Sequence, residues 1–231
     1  MTDPLAQEAV RVYRRYAVEI VEALGFCPYA SRARLDGHTR EVAIGAAIPT
    51  DAEVLGAVEA LADDQTVEVG FVLFPRVTLS RPKLGRWVEH LRKAHAAARG
   101  GAPVLAIEGF HPDADADLSC PERLTPFVRR TPDPTLQLTR LDVLDRIRRG
   151  SPTGTAFFDP DAMDLGALLD APAKRPLHER IAELNHEAVC RLGVAAVRAR
   201  MDEILRDRDE SYRRLDPAAP ARHAPRRQSA G

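Results

Sequence analysis

Apolar residues recur along this chain at two spacings, and each spacing predicts a kind of element. From Pro4 to Gly25 they follow the repeat of an amphipathic helix, with one apolar face. The same repeat predicts further helices at 51–62, 81–99 and 136–149, and one long C-terminal helix from 177 to about 214. Shorter apolar runs between the first helices predict strands at 40–48, 66–74 and 103–107.

The order of these elements predicts the fold class. Strands separated by helices of this length usually lie side by side in one sheet. We therefore expect an α/β (α+β) fold: a small central sheet of three to five strands flanked by helices, with a long C-terminal helix. Residues 1–215 are predicted to form a single domain. The stretch 153–169 is broken by Gly and Pro, and the Pro-, Ala- and Arg-rich end, 216–231, is predicted to be a disordered tail.

Charge and composition exclude several classes of partner. The 33 basic and 34 acidic residues give a net charge of −1, so no overall field favours nucleic acid or an acidic membrane. Apolar runs all fall short of the roughly 18 residues of a membrane span, and the N-terminus lacks a signal-peptide pattern. We therefore expect a cytoplasmic protein that binds neither nucleic acid nor membrane.

The three cysteines, Cys27, Cys120 and Cys190, lie far apart and are odd in number, which favours reduced thiols. Cys27 precedes Pro28, a residue suited to the first turn of a helix. A helix N-terminus stabilises a thiolate, which would make Cys27 reactive. The alternative is a small buried hydrophobic residue at a helix corner. For Cys120 and Cys190 a structural role is adequate.

His111 follows a predicted strand that ends near Gly109. It would therefore lie at the carboxyl end of that strand, where open α/β sheets place their ligand sites. The segment from 110 to 134 is long and irregular, as functional loops often are. Within it, Arg129 and Arg130 could present planar guanidinium groups to a carboxylate or phosphate, although for an arginine pair taken alone a surface salt bridge is the better explanation.

Several short motifs resemble a bacterial family known as domain of unknown function 1415. Its members carry Cys-Pro-Phe-Ala, then Phe-His-Pro-Asp-Tyr, then Asn-Arg-Ser-Pro-Tyr-Pro with Leu-His-Leu-Leu-Arg-Glu, and finally Arg-Asn with Leu-Gly. The corresponding segments in this chain, which together extend over most of its length, are Phe26–Ala30, Phe110–Asp113, Arg130–Pro134, Leu136–Arg140, and Asn185 with Leu192–Gly193.

The chain departs from the family pattern at four positions. The Asn, Tyr, second His and Glu of the family motifs correspond to Arg129, Asp133, Gln137 and Leu141 in this chain. The resemblance supplies no reaction, but it implies that the retained polar residues meet in space. Those residues are Cys27, His111, Asp113, Arg130, Arg140 and Asn185.

Three functions remain open at this stage. In the first, a small-molecule enzyme acts on an anionic metabolite with Cys27 and His111 as nucleophile or acid and base, oriented by Asp113. Its substrate-binding residues would be Arg129, Arg130, Arg140 and Asn185, with Arg130 and Arg140 as the anion clamp, and it needs no cofactor. In the second, His111 is the ligand of haem or iron in an oxidoreductase. In the third, the protein binds a partner without catalysis.

Overall fold

The computed structural model describes residues 3–149 and 176–222. The element order in these ranges is α1 (Pro4–Tyr16), a π-helical segment (Ala17–Glu22), α2 (Ala30–Leu35), β1 (Thr39–Ala43), α3 (Asp51–Asp63), β2 (Val69–Leu73), α4 (Arg81–Ala98), β3 (Leu105–Phe110), α5 (Pro121–Val128), β4 (Thr135–Arg140), α6 (Leu141–Arg149), α7 (Leu177–Leu192) and α8 (Val194–Leu215).

The four strands form one mixed sheet in the order β1-β2-β4-β3. β1 and β2 are parallel, and β4 is antiparallel to both β2 and β3. Therefore β1, β2 and β3 all run in one direction, and their carboxyl ends share one edge with the start of β4. The predicted α/β (α+β) class, with its small helix-flanked sheet, is confirmed.

The sheet has an apolar layer on each face. One face packs on α3 and α4 through sheet residues such as Val72 and Leu138. The other contributes Leu73 and Phe71 to a core formed with α1, α5, α7 and α8. Neighbouring residues Val72 and Leu73 enter different layers because successive side chains of a strand point to opposite faces.

The N-terminal helix begins where predicted, because the Asp3 carboxylate accepts the Leu5 N–H at 3.0 Å and Pro4 occupies the first turn. It does not remain an α-helix as far as Gly25. Hydrogen bonds in the π-helical segment reach five residues back, as from Ala23 N to Val18 O at 3.1 Å. Gly25, with φ of 72°, then ends the turn before Phe26.

Three predicted elements differ in the structure. The predicted helix at 136–149 contains the strand β4 before α6 begins, and the segment predicted to be irregular contains α5. The long C-terminal helix is interrupted at Gly193, whose φ of 83° lies outside the helical region, so that α7 and α8 are separate helices. A left-handed residue breaks a helix, and glycine adopts it without steric cost.

Residues 216–222, which the composition placed in a disordered tail, have specific contacts. Asp216 accepts from Arg76 Nε at 2.7 Å, and the Arg222 N–H donates to Asp209 at 2.9 Å. The rest of that tail, from residue 223, and the stretch at 153–169 lie outside the described residues. None of the helices in the two described ranges is both long and apolar enough to cross a bilayer.

Gly109 allows β3 to approach α4 closely, which gives a first testable prediction. A Cβ at Gly109 would lie 2.8 Å from Val88 Cγ2, so we expect Gly109→Ala to destabilise the fold by about 1–3 kcal/mol. Gly85 is exposed on α4 with open space around it, so Gly85→Ala should stabilise by up to about 1 kcal/mol. Urea unfolding of both variants measures this, and a neutral Gly109→Ala would contradict the close packing.

Candidate functional site

The carboxyl edge of the sheet carries an open cleft of about 410 Å³, lined by Arg81, Pro82, Asp113, Ala114 and Asp115. His111 lies at this edge, immediately after β3, as the sequence predicted. Arg81 is the first residue of α4, and Asp113 is exposed on the segment after β3. The cleft therefore has the position that open α/β sheets use for ligands.

His111 is buried, and both of its ring nitrogens are engaged. Nε2 donates to the Leu79 carbonyl at 2.8 Å, and Nδ1 accepts the Asp113 backbone N–H at 3.0 Å. The ring therefore joins the segment after β3 to the start of α4. In this arrangement no ring nitrogen offers a lone pair to a substrate proton or to iron. The expected orienting role of the Asp113 carboxylate is wrong, since its backbone N–H makes the contact.

Cys27 lies between the π-helical segment and α2, close to the helix start that the sequence predicted. Its thiol is largely enclosed. Burial raises the pKa of the Cys27 thiol, and this effect exceeds the lowering by the backbone N–H groups of Tyr29 and Ala30 and by the charge of Arg129. The pKa of Cys27 is therefore shifted in the direction opposite to the stabilised thiolate that the sequence predicted, because desolvation disfavours the anion more than the helix start favours it.

Arg129 and Arg130 follow α5 and each stacks on an aromatic ring. The Arg129 guanidinium lies 5.4 Å from the Phe110 ring centre, and that of Arg130 lies 4.6 Å from the Phe127 ring centre. Arg129 is partly exposed, and its contact with Glu108 is long at 3.9 Å. Both charges act to lower the pKa of buried Tyr16, although burial raises that pKa overall. The charge of Cys27 acts on Tyr16 as well, so Tyr16 lies within electrostatic range of Cys27 and of both arginines.

Arg140 does not join this group. Because β4 is antiparallel to its neighbours, its last residue lies at the opposite edge of the sheet from His111. The Arg140 guanidinium is buried and donates to the carbonyls of Ala62, Asp64 and Val67 at 2.7 to 2.8 Å. The Arg140 guanidinium therefore holds the turn after α3 in place. The predicted clamp of Arg130 with Arg140 is therefore wrong.

Asn185 lies on the buried face of α7, with Ala182, Ala188 and Val189. Its Oδ1 is buried and has no hydrogen-bond partner among the described residues. The predicted site residues are thus divided between separate places. His111 and Asp113 lie at the carboxyl edge, Cys27 lies near the two arginines after α5, and Arg140 lies at the far edge.

A second cavity, of about 200 Å³, begins at the two residues that follow Cys27. Pro28 and Tyr29 form one side of it, and α7 forms the other through Leu177, Arg180, Ile181 and Leu184. Apolar side chains therefore predominate, with one cation among them. Such a lining suits a small ligand that has an apolar part and an anionic group.

Sequence reasoning missed a buried charged network at the start of β4. The Asp133 carboxylate accepts from Arg208 at 2.6 and 3.0 Å and from the Tyr212 hydroxyl at 2.7 Å. Arg208, fully buried, also contacts Asp209 and the carbonyls of Pro75 and Pro220. Burial disfavours the charge of Arg208, but attraction to Asp133 outweighs it and raises the pKa of Arg208. No local pattern indicates a pair 75 residues apart.

Within the described part of the chain, no group of three or more His, Cys, Asp or Glu side chains is arranged to hold a metal ion. Comparisons with protein-family models, with curated proteins and with solved structures each found no match. The resemblance to family 1415 therefore stays an expectation.

The buried pair makes a prediction about stability. Arg208→Ala removes both close guanidinium contacts of buried Asp133 and leaves it the Tyr212 hydroxyl and a long contact of 3.9 Å with Arg222, so we expect a loss of about 3–5 kcal/mol in the free energy of unfolding. Tyr212→Phe removes one hydrogen bond to Asp133 and should cost about 1–3 kcal/mol.

The matched control is Arg146→Ala. Arg146 is 64% exposed in its pair with Glu68, so its loss should cost less than about 1 kcal/mol. Urea unfolding measures all three variants. Equal effects of Arg208→Ala and Arg146→Ala would mean that the buried pair contributes no more than a surface pair.

Proposed function

We propose that this protein is an enzyme that binds a small anionic metabolite and uses the Cys27 thiol to transfer a proton in a reaction on it. Arg129 and Arg130 are the proposed ligands for a carboxylate or phosphate group of that metabolite. One observation carries the proposal: an enclosed thiol lies within electrostatic reach of a partly exposed guanidinium group, that of Arg129.

The enclosed thiol decides which chemistry is proposed for Cys27. Because its pKa is raised, Cys27 is a neutral thiol at neutral pH and can donate a proton. Its backbone donors, Tyr29 and Ala30, would stabilise the thiolate that remains after the transfer. Isomerisation of an anionic substrate needs such a proton donor and acceptor, so it fits this thiol better than nucleophilic attack.

The stacked guanidinium groups of Arg129 and Arg130 are suited to binding an anion. Stacking on Phe110 and Phe127 restricts both guanidinium groups, so less side-chain entropy is lost when an anion binds. Among the described residues, the one ion pair of Arg129 is a long contact with Glu108, and a carboxylate or phosphate could replace it.

A substrate that extends from Cys27 into the cavity beyond Pro28 and Tyr29 is limited in size by that cavity, whose lining includes neither Cys27 nor the two arginines. At about 200 Å³ it is smaller than most ligand pockets, so a metabolite of only a few heavy atoms would fill it. Arg180, which lines this cavity, could bind a second anionic group of the metabolite. The proposal therefore favours small carboxylic or phosphorylated acids over nucleotides.

Protection of Cys27 from alkylation tests the binding site. We expect millimolar phosphate or succinate to slow the reaction of Cys27 with N-ethylmaleimide, followed by peptide mass spectrometry, because the bound anion blocks access to the thiol. Arg129→Ala and Arg130→Ala should remove this protection, whereas Arg146→Ala, an exposed arginine elsewhere, should keep it. Alkylation that is insensitive to every anion of such a panel would refute the anion site.

Catalysis is tested separately from binding. The anionic fraction of a cell extract is incubated with the protein and with Cys27→Ala, and metabolites are compared by mass and chromatographic retention. An enzyme should convert a compound that Cys27→Ala leaves unchanged. If anions protect Cys27 and both proteins leave every metabolite unchanged, the site binds without catalysis, and the enzymatic part of the proposal fails.

The raised pKa of Cys27 also predicts a pH dependence. In the folded protein, the rate of Cys27 alkylation should still rise with pH well above 9.0, the ordinary pKa of a thiol. In urea, the rate for the same cysteine should level off at a lower pH. The folded state holds the Cys27 proton more tightly than the unfolded chain does, so the stability of the fold should decrease at high pH. The contribution of Cys27 to stability is present below the unfolded pKa and is lost as the pH rises above it. A rate that levels off below 9.0 would contradict burial as the dominant cause.

A further inference from the structure

The cavity between Tyr29 and α7 has an apolar lining, most of which comes from one side of the helix. Leu177, Ile181 and Leu184 recur on α7 at spacings of four and three residues, so they lie on the same side. Leu184 is 53% exposed, although its side chain is large and apolar. Pro28 and Tyr29 face these residues across a volume of about 200 Å³. Apolar surface at this cavity is therefore in contact with water, and a ligand with an apolar body would cover it.

Arg180 is the charged residue of this lining, and it is half-buried. Among the described residues, no carboxylate oxygen lies within 4.0 Å of its guanidinium nitrogens. By contrast, Arg34 on α2 donates to both carboxylate oxygens of Glu22, at 2.7 and 2.8 Å. A cation that is partly removed from water and has no counter-charge is unfavourable, so an anion bound beside Arg180 would be stabilised.

We propose that this cavity binds the apolar part of a small carboxylic acid, and that the carboxylate of the acid pairs with Arg180. A guanidinium group can bind a carboxylate through two parallel hydrogen bonds. One guanidinium balances the single charge of a carboxylate, whereas a phosphate monoester carries about two negative charges at neutral pH. The lining therefore fits a carboxylate better than a phosphate.

This inference rests on the proposed function at one point, which is that the bound acid is the far end of the metabolite on which Cys27 acts. Cys27 immediately precedes Pro28, so the cavity begins next to the residue that carries the thiol. The binding site itself depends on its own lining, which includes neither Cys27 nor Arg129 and Arg130. Binding at the cavity can therefore be measured apart from any reaction.

Hexanoate and hexanamide are suitable probes, because they compare a charged with a neutral ligand of the same size. Their binding to the full-length protein is measured by ligand-observed NMR titration at neutral pH. We expect hexanoate to bind about tenfold more tightly, because a hydrogen bond to a charged group is stronger than one to a neutral group. Acetate should bind more weakly than hexanoate, by about fourfold for each methylene that no longer fills the cavity.

Substitution of Arg180 tests the cation. Arg180→Met keeps an apolar stem and removes the charge, so it should abolish the preference for hexanoate over hexanamide and leave the binding of hexanamide nearly unchanged. Arg180→Lys, which retains a positive charge, should keep most of the preference. Arg191→Met is the matched control, because Arg191 is exposed on the same helix and lies outside the cavity lining.

A second variant supplies the missing counter-charge. Positions 180 and 184 are four residues apart on α7, so Leu184→Glu would place a carboxylate beside the Arg180 guanidinium. We expect this variant to weaken the binding of hexanoate at least tenfold, because its carboxylate competes for the same cation. Leu192→Glu is the matched control, since Leu192 is an exposed leucine on the same helix outside the lining.

The outcomes separate this inference from the proposed function. Equal binding of hexanoate and hexanamide, or a preference that Arg180→Met retains, would overturn the acid site and mean that the Arg180 stem only covers apolar surface. A preference that is lost in Arg129→Ala instead would assign the acid to the arginines after α5, which also overturns it. If Arg180→Met abolishes the preference and no anion protects Cys27 from alkylation, the cavity binds acids and the proposed function fails.

Discussion

The ion pair between Asp133 and Arg208 determines how the two halves of this protein fit together. Asp133 lies just before β4, which pairs with both β2 and β3 in the sheet. Arg208 lies on α8, so one buried contact fixes the last helix to the start of that strand. Because a buried charge without a partner is costly, neither element can shift alone. Residues 216–222 complete the arrangement, since the Pro220 carbonyl accepts from Arg208 and the Arg222 N–H donates to Asp209.

The buried ion pair also shows that polar residues at the carboxyl edge of the sheet have structural roles. The edge has the topology of a ligand site, but much of its polar chemistry holds the fold together. His111 joins β3 to the start of α4, and Arg208 joins β4 to α8. The reactive groups that remain available lie elsewhere, beside α2 and α5. Arg129 and Arg130 follow α5, and Cys27 precedes α2, so two chain segments distant in sequence bring a thiol near cations.

Environment, more than residue type, distinguishes the three cysteines. Burial raises the pKa of the Cys27 thiol, Cys120 lies close to the Glu122 carboxylate, and Cys190 is exposed beside the His186 ring.

The sequence by itself determined the elements whose pattern is local. The apolar repeats at 51–62 and 81–99 and the run at 66–74 became α3, α4 and β2, and the predicted strand end near Gly109 placed His111 correctly, directly after β3. The strand β4 was assigned to a helix, although Leu136 and Leu138 alternate with Gln137 and Thr139, because α6 follows directly and extends the apolar pattern. Only the tertiary structure decided which polar groups meet. A guanidinium has the same sequence signature whether it binds a carboxylate, as Arg208 does, or three carbonyls, as Arg140 does. Its partners are chosen by contacts between residues more than 70 positions apart, and local spacing carries no information about those contacts.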